Sequence, residues 1–410
     1  MASEQTKAQP GLKRSLTLPL VTLYGLGVTI GAGIYVLVGV TAGRAGMSAP
    51  LAFIAAAFVM SFSAASYSEL SGRLPVSAGE AAFVDKAFSL RWLSLAAGLG
   101  IVAAGVVSAA AICVGSVGYV QQFIPLPPHV LVPLIVLLMT AIAAVGIMES
   151  VGLAAILTAL EILGLIAVII GGFYTQPDML MRMPEVVEGA GNWAMWAGVL
   201  SAGVIAFFAF IGFEDIVNVA EEVIEPERTM PWAIGLTLVI STLLYVLVAY
   251  VAVMSVPLDT LASSDAPLSL LFSEVTAFPA LLIAGIASLA TLNGVIVQEV
   301  MASRVLYGLS NLGHLPGWLS HVHEATRTPL KATLLVGAII LALAMAVPLE
   351  ALAEWTSRVT LSVFALVNWA LIRIKWTDPE TPEGVFRVPM WVPVAGLAAC
   401  LGFLGSSFVL

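Results

Sequence analysis

The stretch TLYGLGVTIGAGIYVLVG, residues 22–39, is apolar enough to cross a membrane, yet it carries Gly25, Gly27, Gly31 and Gly33. Glycine lowers helix stability by about 1 kcal/mol per residue relative to alanine, so the sequence predicts a break near Gly31-Ala32-Gly33. In lipid, backbone released from a helix is tolerated only where protein buries it or a cavity solvates it. A broken first span therefore implies a site built from backbone at mid-membrane, as many secondary transporters have. The other reading of the same glycines is close helix packing, because small residues let two backbones approach.

The rest of the chain belongs to the same solvent. Of its 410 residues 60% are hydrophobic and 10% charged, with a mean hydropathy of +1.04; a soluble domain carries about 25% charged residues. The expected fold class is an all-α polytopic membrane protein. A net charge of −9 argues against nucleic acid as a partner, because that role selects basic patches. Cys113 and Cys400 lie inside apolar runs and read as buried thiols rather than a disulfide. His321 and His323 form an HxH pair without the further ligands that a metal centre needs, so no metal site is expected. No nucleophile–base set or phosphate loop appears, so neither an enzyme nor a cofactor is expected.

Seeking about 20 apolar residues per span gives eleven: Leu18–Thr41, Ala49–Leu70, Leu93–Phe123, His129–Gly146, Val151–Phe173, Met195–Ala220, Trp232–Val256, Phe278–Ser310, Ala332–Val347, Leu352–Ile374 and one from Val388 onward. The sixth is interrupted near Ile211-Gly212. Lysine and arginine concentrate on one set of loops, which by the positive-inside tendency places the N-terminus in the cytoplasm of a multi-pass plasma-membrane protein. Residues 1–17 read as a cytoplasmic tail and 18–374 as a ten-helix core with repeats at about 18–174 and 195–374. Residues 375–410 read as a loop plus one further span. Broken spans at corresponding places in two halves point to a transporter site.

Three stretches carry a family resemblance: GVTIGAGIYVLVGVTAGRAGMSAPLAF (27–53), FFAFIGFEDIVNVAEEVIEPERTMPWAI (207–234) and SRVLYGLSNLGHLPGWLSHVHEATRTPLKA (303–332). Tyr67-Ser-Glu-Leu, followed by Pro75 and Gly79, is a weaker fourth. Together they resemble the amino acid–polyamine–organocation superfamily, close to its cationic amino acid transporter-like and related bacterial permeases. The resemblance implies a five-plus-five inverted repeat of the bacterial leucine transporter type, with spans one and six broken. That family adds two further spans; this sequence shows one, so the chain looks one helix short.

The resemblance also implies a site. Thr29, Ile30, Gly31, Ala32 and Gly33 would meet a substrate carboxylate, and Phe208, Ala209, Phe210 and Ile211 would offer carbonyls or ring contacts to its ammonium end. Val106, Ser108 and Asn293 are candidates for side-chain selectivity. With no unpaired acid evident on that surface, neutral amino acids are favoured over cationic ones. Glu161 lies twelve residues past Glu149, about 18 Å into span five at 1.5 Å per residue; intramembrane carboxylates are functional by default. Proton-coupled relatives carry a lysine there, so Glu161 reverses the charge. It reads either as the coupling group, with Ser288 and Thr291 as hydroxyl partners, or as a hydrogen-bonded structural glutamate. Glu214, Asp215, Glu221 and Glu222 read as gating residues.

The resulting expectation is a secondary active transporter that takes up amino acids by alternating access, with proton symport favoured and sodium coupling left open. The alternatives are an amino acid exchanger, a polyamine or organic-amine permease, or a non-transporting sensor or subunit of the same fold. Expected partners are the small-molecule substrate, the lipid bilayer and either a second copy or an accessory subunit.

Overall fold

The computed structural model describes residues 14–75, 79–145, 151–324, 326–378 and 384–409, without the side chains of Ala32, residues 151–154 and Asn218. Residues 1–13 of the expected tail therefore lie outside the described residues. Helices follow in the order α1 (Leu18–Ala45), α2 (Ala49–Arg73), α3 (Gly79–Phe88), α4 (Arg91–Val120), α5 (Pro128–Val145), α6 (Val151–Thr175) and α7 (Trp193–Phe208). After them come α8 (Pro226–Ser255), α9 (Leu258–Ala262), α10 (Pro267–Val275), α11 (Ala280–Asn311), α12 (Leu330–Ala346), α13 (Leu349–Thr377) and α14 (Trp391–Ser406). Proline opens α1, α2, α8 and α10 within their first two positions, where its missing N–H would be unpaired anyway.

Among the described residues, eight helical stretches are long and apolar enough to cross a membrane. One of them runs from the second half of α1 through α2, and α12 and α14 are shorter apolar helices. Counted as separate crossings, these give the eleven spans expected. The outer helices carry a lipid-facing stripe: Ile156, Leu163 and Ile170 on α6, each seven residues apart, are all exposed, as helical periodicity requires. The sequence reading missed α3, α9, α10 and the 3-10 helix Met179–Val187, which are short connections lying on the bundle.

The two halves pack in matching pairs. α1 lies against α8 as α7 lies against α2, α4 against α12 as α11 against α5, and α1 against α6 as α7 against α13. The longest interfaces join each element to its own counterpart, α2 with α8 and α4 with α11. A five-plus-five repeat produces this reciprocal pattern.

One expectation fails. α1 is a continuous α-helix from Leu18 to Ala45, so the first span is not broken at Gly31-Ala32-Gly33. Four glycine penalties sum to only a few kcal/mol, while each unpaired backbone group in lipid costs several. Continuity is the cheaper state, and the glycines serve contact instead. A β-carbon on Gly33 would lie 2.3 Å from Ala209 Cα, one on Gly27 2.2 Å from Thr158 Oγ1, and one on Gly31 3.3 Å from Ala290 O.

Span six is broken as expected. α7 stops at Phe208, residues 209–212 form a turn with Gly212 at φ 123°, and the chain resumes as a 3-10 helix, Phe213–Glu222. That φ lies where side chains are strongly disfavoured. On the face where α1 begins, here called the inner face, Ser15 N and Leu16 N donate to Glu222 O (2.9 and 3.0 Å) and Ile224 N donates to Leu16 O (2.9 Å).

Candidate functional site

The break in span six and the glycine face of α1 meet around a small cavity lined by Val28, Thr29, Gly33, Ser108, Ile112, Phe208, Ile211, Gly294 and Gln298. Its volume is about 10 Å³, room for one water molecule and far below the few hundred Å³ of an open ligand pocket. The chain is closed around its centre. Among the lining residues there is no charged side chain; the polar side chains are the hydroxyls of Thr29 and Ser108 and the amide of Gln298. A larger cleft of about 330 Å³, lined by Lys375, Arg387, Val388, Pro389 and Met390, lies at the inner end of α13, away from this centre.

The backbone of the break is held by two side chains. Glu214 Oε2 accepts the Gly212 N–H at 2.8 Å, capping the resumed helix. Tyr245, on α8, places its hydroxyl 2.8 Å from Thr29 O and 2.9 Å from Ala209 O. One hydroxyl hydrogen thus serves two buried carbonyls, one on α1 and one in the turn where helical bonding has lapsed. Its ring is fixed against Phe53 and Phe210, with centroids 5.8 and 5.0 Å away.

The expected site residues separate on this geometry. Thr29, Gly33, Phe208 and Ile211 reach the cavity, as does Ser108, whereas Val106 and Asn293 are not among its lining residues. Ile30 is fully buried in the core, and Phe210 is buried against Tyr245 rather than facing the centre. Gly31 turns to α11 and Glu161, and Ala209 presses on Gly33 with its carbonyl under Tyr245. The side chain of Ala32 lies outside the described residues. Val28, Ile112, Gly294, Gln298 and Tyr245 were not foreseen. Gly294 and Gln298 share a helix face at i, i+4, and a polar residue on that face of an apolar helix was the available signal for Gln298.

Glu161 is 3% exposed, and a β-carbon on Gly31 would lie 4.0 Å from its Oε2 and 3.3 Å from Ala290 O. The carboxylate thus stands where α1, α6 and α11 converge, and Tyr35 donates from α1 to the Glu161 carbonyl at 3.1 Å. Thr291 Oγ1 donates to Ala287 O on its own helix at 2.7 Å. Ser288 Oγ has no hydrogen-bond partner among the described residues.

Of the residues read as gating, Glu214 is a buried cap and Asp215 is buried beside it, 5% exposed. Glu222 offers its main-chain carbonyl to the N-terminal segment, and Glu221 is half-buried next to it. Charged clusters instead mark the two faces. At the outer face Arg44 of α1 reaches Glu350 (3.1 Å) and Glu354 (2.7 Å) of α13. At the inner face the fully buried Glu69 takes Arg73 at 2.8 Å, Lys375 at 2.6 Å and the Val388 N–H at 2.8 Å. Near it Glu80 on α3, 4% exposed, accepts the Tyr67 hydroxyl at 3.0 Å, and burial raises its carboxyl above the usual range despite that bond.

Known proteins share this sequence's pattern. Residues 16–410 match the family profile described as amino acid permease. The branched-chain amino acid permease of Bacillus subtilis (strain 168) is 31% identical over 96% of this chain and 87% of its own length. The methylthioribose transporter of the same organism is 28% identical over 98% of this chain and 90% of its own length. The vacuolar cationic amino acid transporter 4 of Arabidopsis thaliana is 28% identical over 90% of this chain, which spans only 64% of that relative.

Proposed function

This chain belongs to the amino acid permease family, and from that premise we propose that it is a secondary active transporter of amino acids with uncharged side chains. The observation that carries the substrate class is the cavity lining. It sets the backbone of the interrupted span beside two hydroxyls, one amide and apolar side chains, and it holds no charged side chain. Backbone dipoles of this kind suit a zwitterion's two ends, while a second ammonium or a guanidinium would enter without a counter-charge, at high cost. The relative named for branched-chain amino acids agrees with this choice.

In this reading the closed centre, with α1 tied to α13 at the outer face and span six tied to the N-terminal segment at the inner face, would be an intermediate of alternating access. Substrate would enter after the outer contacts of Arg44 part, displace Tyr245 from the Ala209 carbonyl and leave towards the inner face, the cytoplasm of a plasma-membrane protein in our reading. The reading takes Glu161 as the proton-coupling group, supported by the burial of its carboxylate where α1, α6 and α11 meet.

Counterflow in proteoliposomes tests the reading. Labelled leucine or another neutral amino acid exchanges, and lysine does not compete. Exchange of lysine alone would overturn the neutral-substrate choice. A second reading has one observation behind it, the similarity to a methylthioribose transporter, so methylthioribose belongs in the same competition series.

A further inference from the structure

Glu299, on the inner half of α11, is fully buried, 0% exposed. Neither of its carboxylate oxygens meets hydrogen-bond geometry with a described residue, and the same holds for Thr140 Oγ1 of α5. The two groups nevertheless share one small space. A β-carbon on Gly337 of α12 would lie 2.3 Å from Thr140 Oγ1 and 2.9 Å from Glu299 Oε1. Glycine at 337 is what leaves room for the carboxylate between α5, α11 and α12.

The charged and titratable groups on the helices packed against α11 stand elsewhere. On α4 they are Arg91 at the exposed inner end, Cys113 and Tyr119; on α5 His129 and on α12 Lys331, both exposed near helix ends. α1 carries Tyr24, Tyr35 and Arg44, α6 Glu161 and Tyr174, and α10 Glu274, while α11 itself adds Arg304 and Tyr307. Around the Glu299 carboxyl itself the structure places apolar burial and the Thr140 hydroxyl. An ionised carboxylate in such a place costs several kcal/mol unless a donor or cation reaches it, so a neutral, protonated side chain is the form this packing accommodates.

Gln298, the residue before it, lines the central cavity and reaches towards α4, with a β-carbon on Gly105 falling 3.1 Å from its Oε1. The two side chains project from one helical turn in different directions. Ionising Glu299 would draw the Thr140 hydroxyl to it and shift that turn, and Gln298 with it. We propose that Glu299 holds an exchangeable proton within the scaffold, separate from Glu161, and that its charge state sets the position of the α11 turn that carries Gln298. The consequence for transport rests on the function proposed above; the protonation itself does not.

Infrared difference spectroscopy on the reconstituted full chain, titrated with base, reads the proton directly. One component of the carboxylic-acid C=O band disappears on alkalinisation in the wild type and in Glu161→Gln, and that component alone is missing from the spectrum of Glu299→Gln, while the bands of other buried carboxyls such as Glu80 stay. Thr140→Val leaves the carboxyl in place but removes its donor, so the band's midpoint moves up by about one pH unit. A band unchanged in Glu299→Gln, or a midpoint unmoved in Thr140→Val, overturns the proposal. In counterflow, Glu299→Gln flattens the pH dependence of exchange, and a profile identical to wild type refutes the link to Gln298. If the band titrates as expected while no solute exchanges, the transport reading fails and the proton site stands.

Discussion

Replacing Tyr245 with phenylalanine removes one oxygen from the centre of the protein and little else. The ring keeps its contacts with Phe53 and Phe210, while the carbonyls of Thr29 and Ala209 lose the donor they share. A buried acceptor stripped of its partner costs about 1–3 kcal/mol. Thr29 O stays within the continuous α1 and can still accept from its own helix, so the main loss falls on Ala209, which sits in the turn. Taking about 1–2 kcal/mol for the closed, empty state lowers its population relative to open states by about 5- to 30-fold. A substrate whose ammonium takes the Ala209 carbonyl no longer competes with a hydroxyl for it. Its apparent affinity therefore tightens, because less free energy goes into freeing the binding-competent form. Substrate-dependent thermal stabilisation of purified wild type and Tyr245→Phe measures this. An unchanged apparent Kd, or one weakened tenfold, would refute the reasoning; the second outcome would make Tyr245 a direct ligand.

Gly33→Ala places a methyl group against Ala209 Cα and O, at 2.3 and 2.8 Å, where backbone cannot yield; exchange should fall more than tenfold, whereas Gly402→Ala, with nothing within 4 Å, leaves it unchanged. Lys375→Met leaves Glu69 fully buried with Arg73 as its remaining cation, and should destabilise the fold by about 3 kcal/mol, read as a lower unfolding midpoint in detergent. Glu161→Gln should abolish accumulation driven by a pH gradient while sparing counterflow; undiminished gradient-driven uptake would remove Glu161 from coupling. Glu80 has its carboxyl raised by burial, so the folded form retains its proton to higher pH than the unfolded chain. Stability is then fullest below the unfolded value and falls as pH rises towards the folded one, and Glu80→Gln should flatten that fall in thermal unfolding measured from acid to neutral pH.

The span pattern was legible because lipid imposes length and apolarity on every crossing. The break in span six was legible because Gly212 follows an aromatic run and precedes Glu214-Asp215 in a segment with no reason to stay helical. The same logic failed for α1. Its glycines carry a propensity cost that is small beside that of unpaired backbone in lipid, and sequence alone does not show that Ala209, Thr158 and Ala290 press on them. Counting along span five brought Glu161 to its place beside Gly31. Tyr245 could not be found that way, since its hydroxyl matters only through two carbonyls 36 and 216 residues away. Glu299 was open to the rule that singled out Glu161, a carboxylate within an apolar helix, and the sequence reading passed over it.

The ion cluster around Glu69 has a mechanical side. It joins α2 to α13 and to the segment entering α14 through three short contacts at one end of the molecule. A body pinned at one end turns about that pin. In the alternating access proposed above the inner cluster would be a fulcrum, and the lever arm would be longest at the opposite face, where Arg44 holds Glu350 and Glu354 with partly exposed side chains. The two clusters mirror each other in charge, one acid with two bases inside and one base with two acids outside, and in the transport cycle proposed above the buried one would be a bearing and the exposed one a clasp.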